Sequence, residues 1–164
     1  MIEIVVAPEE SKDKLWELFL EYCEDLKQYD GETRPHWSRH YPEFDLYWEE
    51  SARVAFMAVY DHEPVGFCLL RDTGISYEIK EFYVRPIHRR RGFGHQLVEH
   101  VKDHCRKLGR HKTVSAAVYV NNLPAVAFWQ SVGFADTGRR SRLKNLRMIE
   151  TEADLSEVRP RVRT

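Results

Sequence analysis

No stretch of this sequence approaches the ~20 consecutive apolar residues that a membrane-spanning helix needs. The opening "MIEIVVAPEESKDK" has too short an apolar run for a secretory leader, and acids follow it at once. A basic excess is also missing. Lys+Arg number 25 against Asp+Glu 26, which argues against a chain that binds nucleic acid in bulk, because such chains carry a marked positive footprint. Cysteine is scarce: Cys23, Cys68 and Cys105 are far apart and never form C-x-x-C, so neither a disulfide framework nor a thiolate zinc site is written here. Three reduced thiols and no leader predict a cytoplasmic protein. Repeats, low-complexity tracts and linkers are absent as well. At 164 residues, 43% hydrophobic and 31% charged, the chain reads as one soluble globular domain over residues 1–150 with a polar tail over 151–164.

What is present alternates between two periods. Residues 2–7 are a short β-rich run closed by Pro8. Leu15, Trp16, Leu18, Phe19, Tyr22, Cys23 and Leu26 then recur at helical spacing. Residues 28–50 look irregular and aromatic, with a short helix expected near 43–50. "ARVAFMAVY", "DHEP" and "VGFCLLR" read as strand, turn, strand, and "ISYEIKEFYV" as a further strand ended by Pro86. Phe93, Leu97, Val101, Cys105 and Leu108 mark a helix that Gly109 stops. "TVSAAVYV" is almost all apolar or small, as a buried central strand should be. Asn122 is placed to cap a helix whose first turn holds Pro124 and whose core stripe is Ala125, Phe128, Trp129 and Val132. Two last strands follow, with a turn near 140–145. The order predicts an α/β fold: a mixed, mostly antiparallel central sheet with helices on both faces.

"RRRGFG", Arg89 to Gly94, packs three cations and two glycines before the second long helix. A P-loop would need Lys-Ser or Lys-Thr after Gly94, and a dinucleotide fingerprint would need a third glycine where Leu97 stands. Both fail. A helix start remains, whose free N–H groups and dipole can hold an anion, helped by arginine. The competing reading is a solvated basic turn.

At this point the residues resemble the GNAT superfamily of acyl-CoA N-acyltransferases. "EFYVRPIHRRRGFG" is similar to its strand followed by [QR]-x-x-G-x-[GA], with Arg89 at the first motif position. A second block, N-x-x-A-x-x-[FL]-Y-x-x-x-G-F, is matched in register by Asn122, Ala125, Phe128, Gly133 and Phe134. The resemblance implies a GNAT-like sheet whose two central strands splay, and acetyl-CoA as acyl donor. It places the pyrophosphate on Arg89, Arg90, Arg91, Gly92, Phe93 and Gly94, and the pantetheine arm along Phe82, Tyr83 and Val84, with Asn122 and Phe128 also near the cofactor. It makes the Phe82 N–H an oxyanion donor and the reaction an N-acetylation of a primary amine in a ternary complex. A catalytically silent acyl-CoA sensor is the alternative.

An alkyl amine near pKa 10 must lose a proton before it attacks. Glu78 and Glu81 are the candidate bases, or else acids on a strand surface near Lys80 or Arg85. Simple alternation puts Glu78 on the face of Lys80 and Phe82, and Glu81 on that of Ile79 and Tyr83. Where the family's second block has its acidic tyrosine this chain has Trp129, whose indole cannot supply a proton near neutral pH. The resemblance walls the acceptor pocket with residues 22–48, where Glu24, Asp25, Asp30, Glu32, Glu43 and Asp45 lie among Tyr29, Trp37, Tyr41 and Phe44. Carboxylates beside aromatic rings suit a cationic amine. His100 and His104 share a helix face, but no third ligand is evident, so no metal is expected. Arg139, Arg140, Arg142, Lys144 and Arg147 could meet the adenosine 3′-phosphate, a partner, or nothing. The partners expected are a small-molecule or peptide amine, with neither nucleic acid nor membrane, and a homodimer is left open.

Overall fold

The computed structural model describes residues 1–30, 41–143 and 146–156. Seven strands form one sheet: β1 (Ile2–Val6), β2 (Arg53–Tyr60), β3 (Glu63–Asp72), β4 (Tyr77–Val84), β5 (Thr113–Tyr119), β6 (Ala135–Leu143) and β7 (Leu146–Asp154). The helices are α1 (Lys12–Asp30), α2 (Leu46–Glu49), α3 (Phe93–Leu108) and α4 (Leu123–Ser131). Strand order is β1-β2-β3-β4-β5-β7-β6, and every neighbouring pair is antiparallel except β4 with β5. The expected architecture and element order are therefore present.

Alternation on β2 and β3 sorts the core into two layers. Phe56, Cys68 and Leu70 point to one face, where they meet Leu97, Val98, Val101 and Cys105 of α3 and Trp129 of α4. Ala55, Met57, Phe67 and Leu69 point to the other and meet Leu15, Leu18, Phe19 and Cys23 of α1, with Tyr47 of α2. β3 is covered on both sides, which is why it reads as a continuous apolar run. The cysteines are free and buried, as expected. No helix among the described residues is long and apolar enough to cross a membrane.

Helix ends follow the local chemistry. The Asn122 side chain accepts from the Ala125 N–H at 3.2 Å, and Gly109 takes φ 67° to close α3. Lys102, only 4% exposed, lies on the core stripe of α3. Its Nζ donates to the Val132 carbonyl at 2.5 Å and sits 5.5 Å from the Phe134 ring, so the charge is spent on the C-terminus of α4.

Two expectations need correction. β5 is not buried throughout: Ala117 is exposed, for a reason that lies in the site. The tail expected from residue 151 starts too early, since β7 runs to Asp154 and Thr151, Ala153 and Leu155 are buried.

Candidate active site

β4 and β5 run parallel and pair only through Tyr77–Val114, Glu78–Ser115 and Ile79–Ala116. β4 continues to Val84 and β5 to Tyr119, yet no pairing continues, so the strands part and leave a cleft in the middle of the sheet. Ala117 is the first residue of β5 past the last of these pairs, with no β4 residue beside it, and it is exposed. Backbone donors and acceptors along the parted edges are left for something other than a strand.

The cleft leads to the start of α3. Gln96 N–H to Gly92 O, 3.1 Å, is the first bond of the helix, so the N–H groups of Phe93, Gly94 and His95 have no helical partner. Arg90 and Gly92 both adopt left-handed backbone, φ 64° and 79°, in the loop that leads into these N–H groups. A Cβ on Gly92 would meet open space. At Gly94 a Cβ would sit 2.9 Å from the Phe128 ring, so its bareness also serves helix packing. Phe128 in turn stacks on Phe82 at 5.4 Å, tying α3, α4 and β4 together beside the cleft.

The three arginines are not equivalent. Arg89 donates from Nε to the Val84 carbonyl at 2.8 Å and from Nη2 to Asp25 at 2.9 Å, fixing the loop to α1. Arg91 donates to the Tyr60 hydroxyl at 2.9 Å and lies over the Tyr60 and Phe93 rings. Arg90 is exposed and makes no side-chain hydrogen bond or ion pair among the described residues. Asn122 spends its side chain on the α4 cap.

β4 also carries a bulge. Leu69 faces Glu81 while Leu70 faces Ile79, so Lys80 has no opposite number. The bulge reverses the expected alternation. Tyr77, Ile79 and Phe82 turn toward α3 and α4, whereas Glu81 and Tyr83 turn toward α1. Glu78, opposite Arg71, shares the α1 face with Glu81 instead of sharing a face with Phe82. Glu81 is 5% exposed and accepts from the Tyr22 hydroxyl of α1. Burial, with Glu81 nearby, pushes the Tyr41 hydroxyl far above its usual pKa, and burial likewise takes Tyr83 up to about 12. Both rings stay neutral donors. Glu78 is half-buried and pairs with Arg71 at 3.3 Å and Lys80 at 3.4 Å.

Several expected residues have other work. Trp129 is buried between Phe82, Phe128 and Phe134 at 5.1, 5.2 and 4.8 Å. Of the acids expected to receive an amine, Glu24 pairs with Lys27, Asp25 with Arg89, Asp45 with Lys12, and Glu43 lies by Arg53 and Tyr41. Asp30 is buried and accepts from the Tyr119 hydroxyl. Glu32 and Trp37 lie outside the described residues, as does Lys144. His100 and His104 both lie against Phe56, and no metal-binding group occurs among the described residues. Arg139 and Arg140 pair with Glu150 and Asp136, while Arg142 and Arg147 stand opposite each other, exposed. Sequence reasoning set Tyr22 on the apolar stripe of α1 and at the edge of the expected acceptor-pocket wall, and missed its hydrogen bond to Glu81.

The family model described as acetyltransferase (GNAT) family matches residues 13–134. Curated proteins give no sequence match. Among solved structures, PaiA N-acetyltransferase of Thermoplasma acidophilum in complex with coenzyme A superposes with TM-score 0.79 at 18% identity, over 94% of this chain and 99% of that one. The ribosomal-protein-S18-alanine N-acetyltransferase of Escherichia coli gives 0.68 at 16% identity, covering 100% of both chains. YncA of Salmonella typhimurium with its cofactor acetyl-CoA gives 0.72 at 17%, over 96% and 95%. At these identities the likeness concerns the fold.

Proposed function

The chain belongs to the acetyltransferase (GNAT) family, and on that premise we propose that it acetylates a primary amine of a small molecule or peptide by direct attack, with both substrates bound. It is an acyl-CoA-dependent N-acetyltransferase whose donor is acetyl-CoA. One observation carries the reading: a cleft in the sheet that ends on the free N–H groups of a helix start.

The donor supplies an activated acetyl thioester; the remaining work falls to the chain. The N–H groups of Phe93, Gly94 and His95, with the Arg90 guanidinium, suit a pyrophosphate. Arg89 and Arg91 hold the loop in that shape. The parted edge of Phe82, Tyr83 and Val84 offers backbone bonds to an extended pantetheine arm, and the Phe82 N–H would donate to the carbonyl oxygen as charge builds there. Phe128, ordered by the Asn122 cap, closes the wall.

The base is assigned to Glu81. It is buried on β4 next to Phe82, and Tyr22 orients its carboxylate, whereas Glu78 is committed to Arg71 and Lys80. Glu81 takes the proton that the incoming ammonium must lose. With Trp129 in the core, the departing thiolate takes its proton from water.

The same tryptophan favours the second reading, an acyl-CoA sensor without turnover. Release of free CoA from acetyl-CoA, measured against polyamines, amino acids, aminoglycosides and peptides, separates the two. Tight binding by calorimetry with no acetylated product from any amine would establish the sensor. The buried free cysteines support a reducing, cytoplasmic location, and residues 1–155 are proposed as one catalytic domain.

A further inference from the structure

Residues 81–89, from β4 into the loop after it, grip one turn of α1 at three places. Glu81 accepts from the Tyr22 hydroxyl, Arg85 donates to both carboxylate oxygens of Glu21 at 2.9 Å, and Arg89 donates to Asp25 at 2.9 Å. The last of these belongs to the loop that opens α3, so it joins the donor end of the site to the helix that orients Glu81.

Exposed ion pairs add little to stability, and the Arg89 and Asp25 side chains are 41% and 23% exposed. What this pair supplies is alignment. The Arg89 guanidinium is held in three ways: Nε donates to the Val84 carbonyl at 2.8 Å, Nη2 donates to Asp25, and its carbon lies 5.6 Å from the centre of the Tyr83 ring. A planar fork so held has few ways to turn. Tyr83 is buried, and its ring meets the Tyr22 ring edge-on at 5.8 Å. Tyr22 then reaches Glu81. An unbroken run of contacts therefore leads from Arg89 through Tyr83 and Tyr22 to the buried carboxylate, with Asp25 bracing Arg89 from α1.

The geometry points to Arg89 and Asp25 as positioning residues for acetyl transfer: a pyrophosphate seated on the loop steadies Arg89, and through Asp25 and Tyr83 this steadies Tyr22 against Glu81. The inference rests on the acetyl-transfer reading, in which Glu81 is the base, and adds that donor loop and base are coupled. A path of contacts carries coupling only if cutting it changes the far end, and Asp25 is the place to cut. Asp25→Asn keeps the shape of the side chain, leaves the Arg89 bond to Val84 in place, and lies outside the loop.

Steady-state kinetics with acetyl-CoA and an amine that the chain acetylates tests this. The kcat of Asp25→Asn should fall about fivefold or more with little change in the amine KM, and Asp25→Glu should recover part of the loss. Tyr22→Phe should lower kcat too, and adding Asp25→Asn to it should lower kcat little further, because both act through one hydroxyl. CoA affinity by calorimetry should not weaken in Asp25→Asn, since a negative charge near an anion site is removed. Independently of turnover, CoA should slow amide hydrogen exchange over residues 22–27 in the unmutated protein. Asp25→Asn should abolish that protection and keep the protection of Phe93, Gly94 and His95.

An unaltered kcat in Asp25→Asn overturns the positioning role while acetyl transfer stands. A fall in kcat that tracks a lost Tm and is not recovered by glutamate marks a merely structural pair, and also overturns it. Protection of α1 by CoA that Asp25→Asn abolishes, with no amine acetylated, overturns the transferase reading and keeps the coupling. Exchange in α1 that ignores CoA overturns the coupling.

Discussion

Replacing Gly94 by alanine tests why a glycine stands at the second position of α3. An added Cβ would lie 2.9 Å from Phe128 Cε2 and 3.1 Å from Cζ. Those atoms belong to a ring held between Phe82 and Trp129, so the ring cannot swing aside freely. Overpacking of this kind costs about 1–3 kcal/mol. Alanine recovers about 0.5–1 kcal/mol of helix propensity, which leaves a net loss of about 1–2 kcal/mol. For a chain of this size that is a fall in Tm of roughly 2–8 °C. Urea unfolding of Gly94→Ala, Phe128→Leu and the double variant closes a mutant cycle. The smaller leucine makes room for the methyl, so the double variant should lose less than the two single losses added together. CoA affinity should fall in Gly94→Ala, because Phe128 pushes on Phe82, and recover in part in the double variant. A strictly additive cycle would refute contact with Phe128 as the reason for the glycine.

Three further outcomes follow from named contacts. Trp129→Phe should lower stability by about 1–2 kcal/mol through lost packing and keep most of the turnover; loss of turnover at unchanged CoA affinity would give the indole a direct role. Glu81→Gln should reduce kcat/KM near neutral pH by about a hundredfold or more and regain part of it at alkaline pH, where the amine arrives deprotonated; a pH–rate profile of unaltered shape would remove Glu81 as base. Burial, with His100 and Lys107 nearby, holds the His104 pKa below its usual 6.5. The unfolded chain therefore takes up that proton first, and stability present above pH 6.5 is lost as pH falls through the folded-state value. The Tm of His104→Leu should be less pH-dependent below 6.5 than that of the unmutated protein.

Much of the fold can be read from local patterns because local physics decides it. The α1 stripe, the Gly109 stop and the Asn122 cap each need only near neighbours in sequence. β7 shows a pattern that is easily overlooked: Thr151, Ala153 and Leu155 are buried while Asp154 between them is exposed, a period of two hidden by polar composition. The bulge at Lys80 has no such mark. No glycine announces it, and it arises where β3 and β4 fall out of step across the sheet, so the face of Glu81 could not be read by counting residues. Tyr22 with Glu81, Arg85 with Glu21 and Arg89 with Asp25 join residues about sixty positions apart, beyond any local signal. The motif around Gly94 falls on the loop and first turn of α3, while the ring that a Cβ at Gly94 would meet comes from α4 and carries no local mark.

A sheet joined at its middle by three residue pairs behaves mechanically as two leaves on a short spine. β1 to β4 form one leaf, a meander of sequence neighbours, and β5, β7 and β6 form the other. Beyond those few rungs the two leaves are joined through the core that Leu97, Val101 and Trp129 share with both of them. A guest that bonds to both parted edges acts as a splint. The resistance of the whole chain to unfolding then depends on how much of that guest surrounds it, rising with the logarithm of its concentration once the site fills.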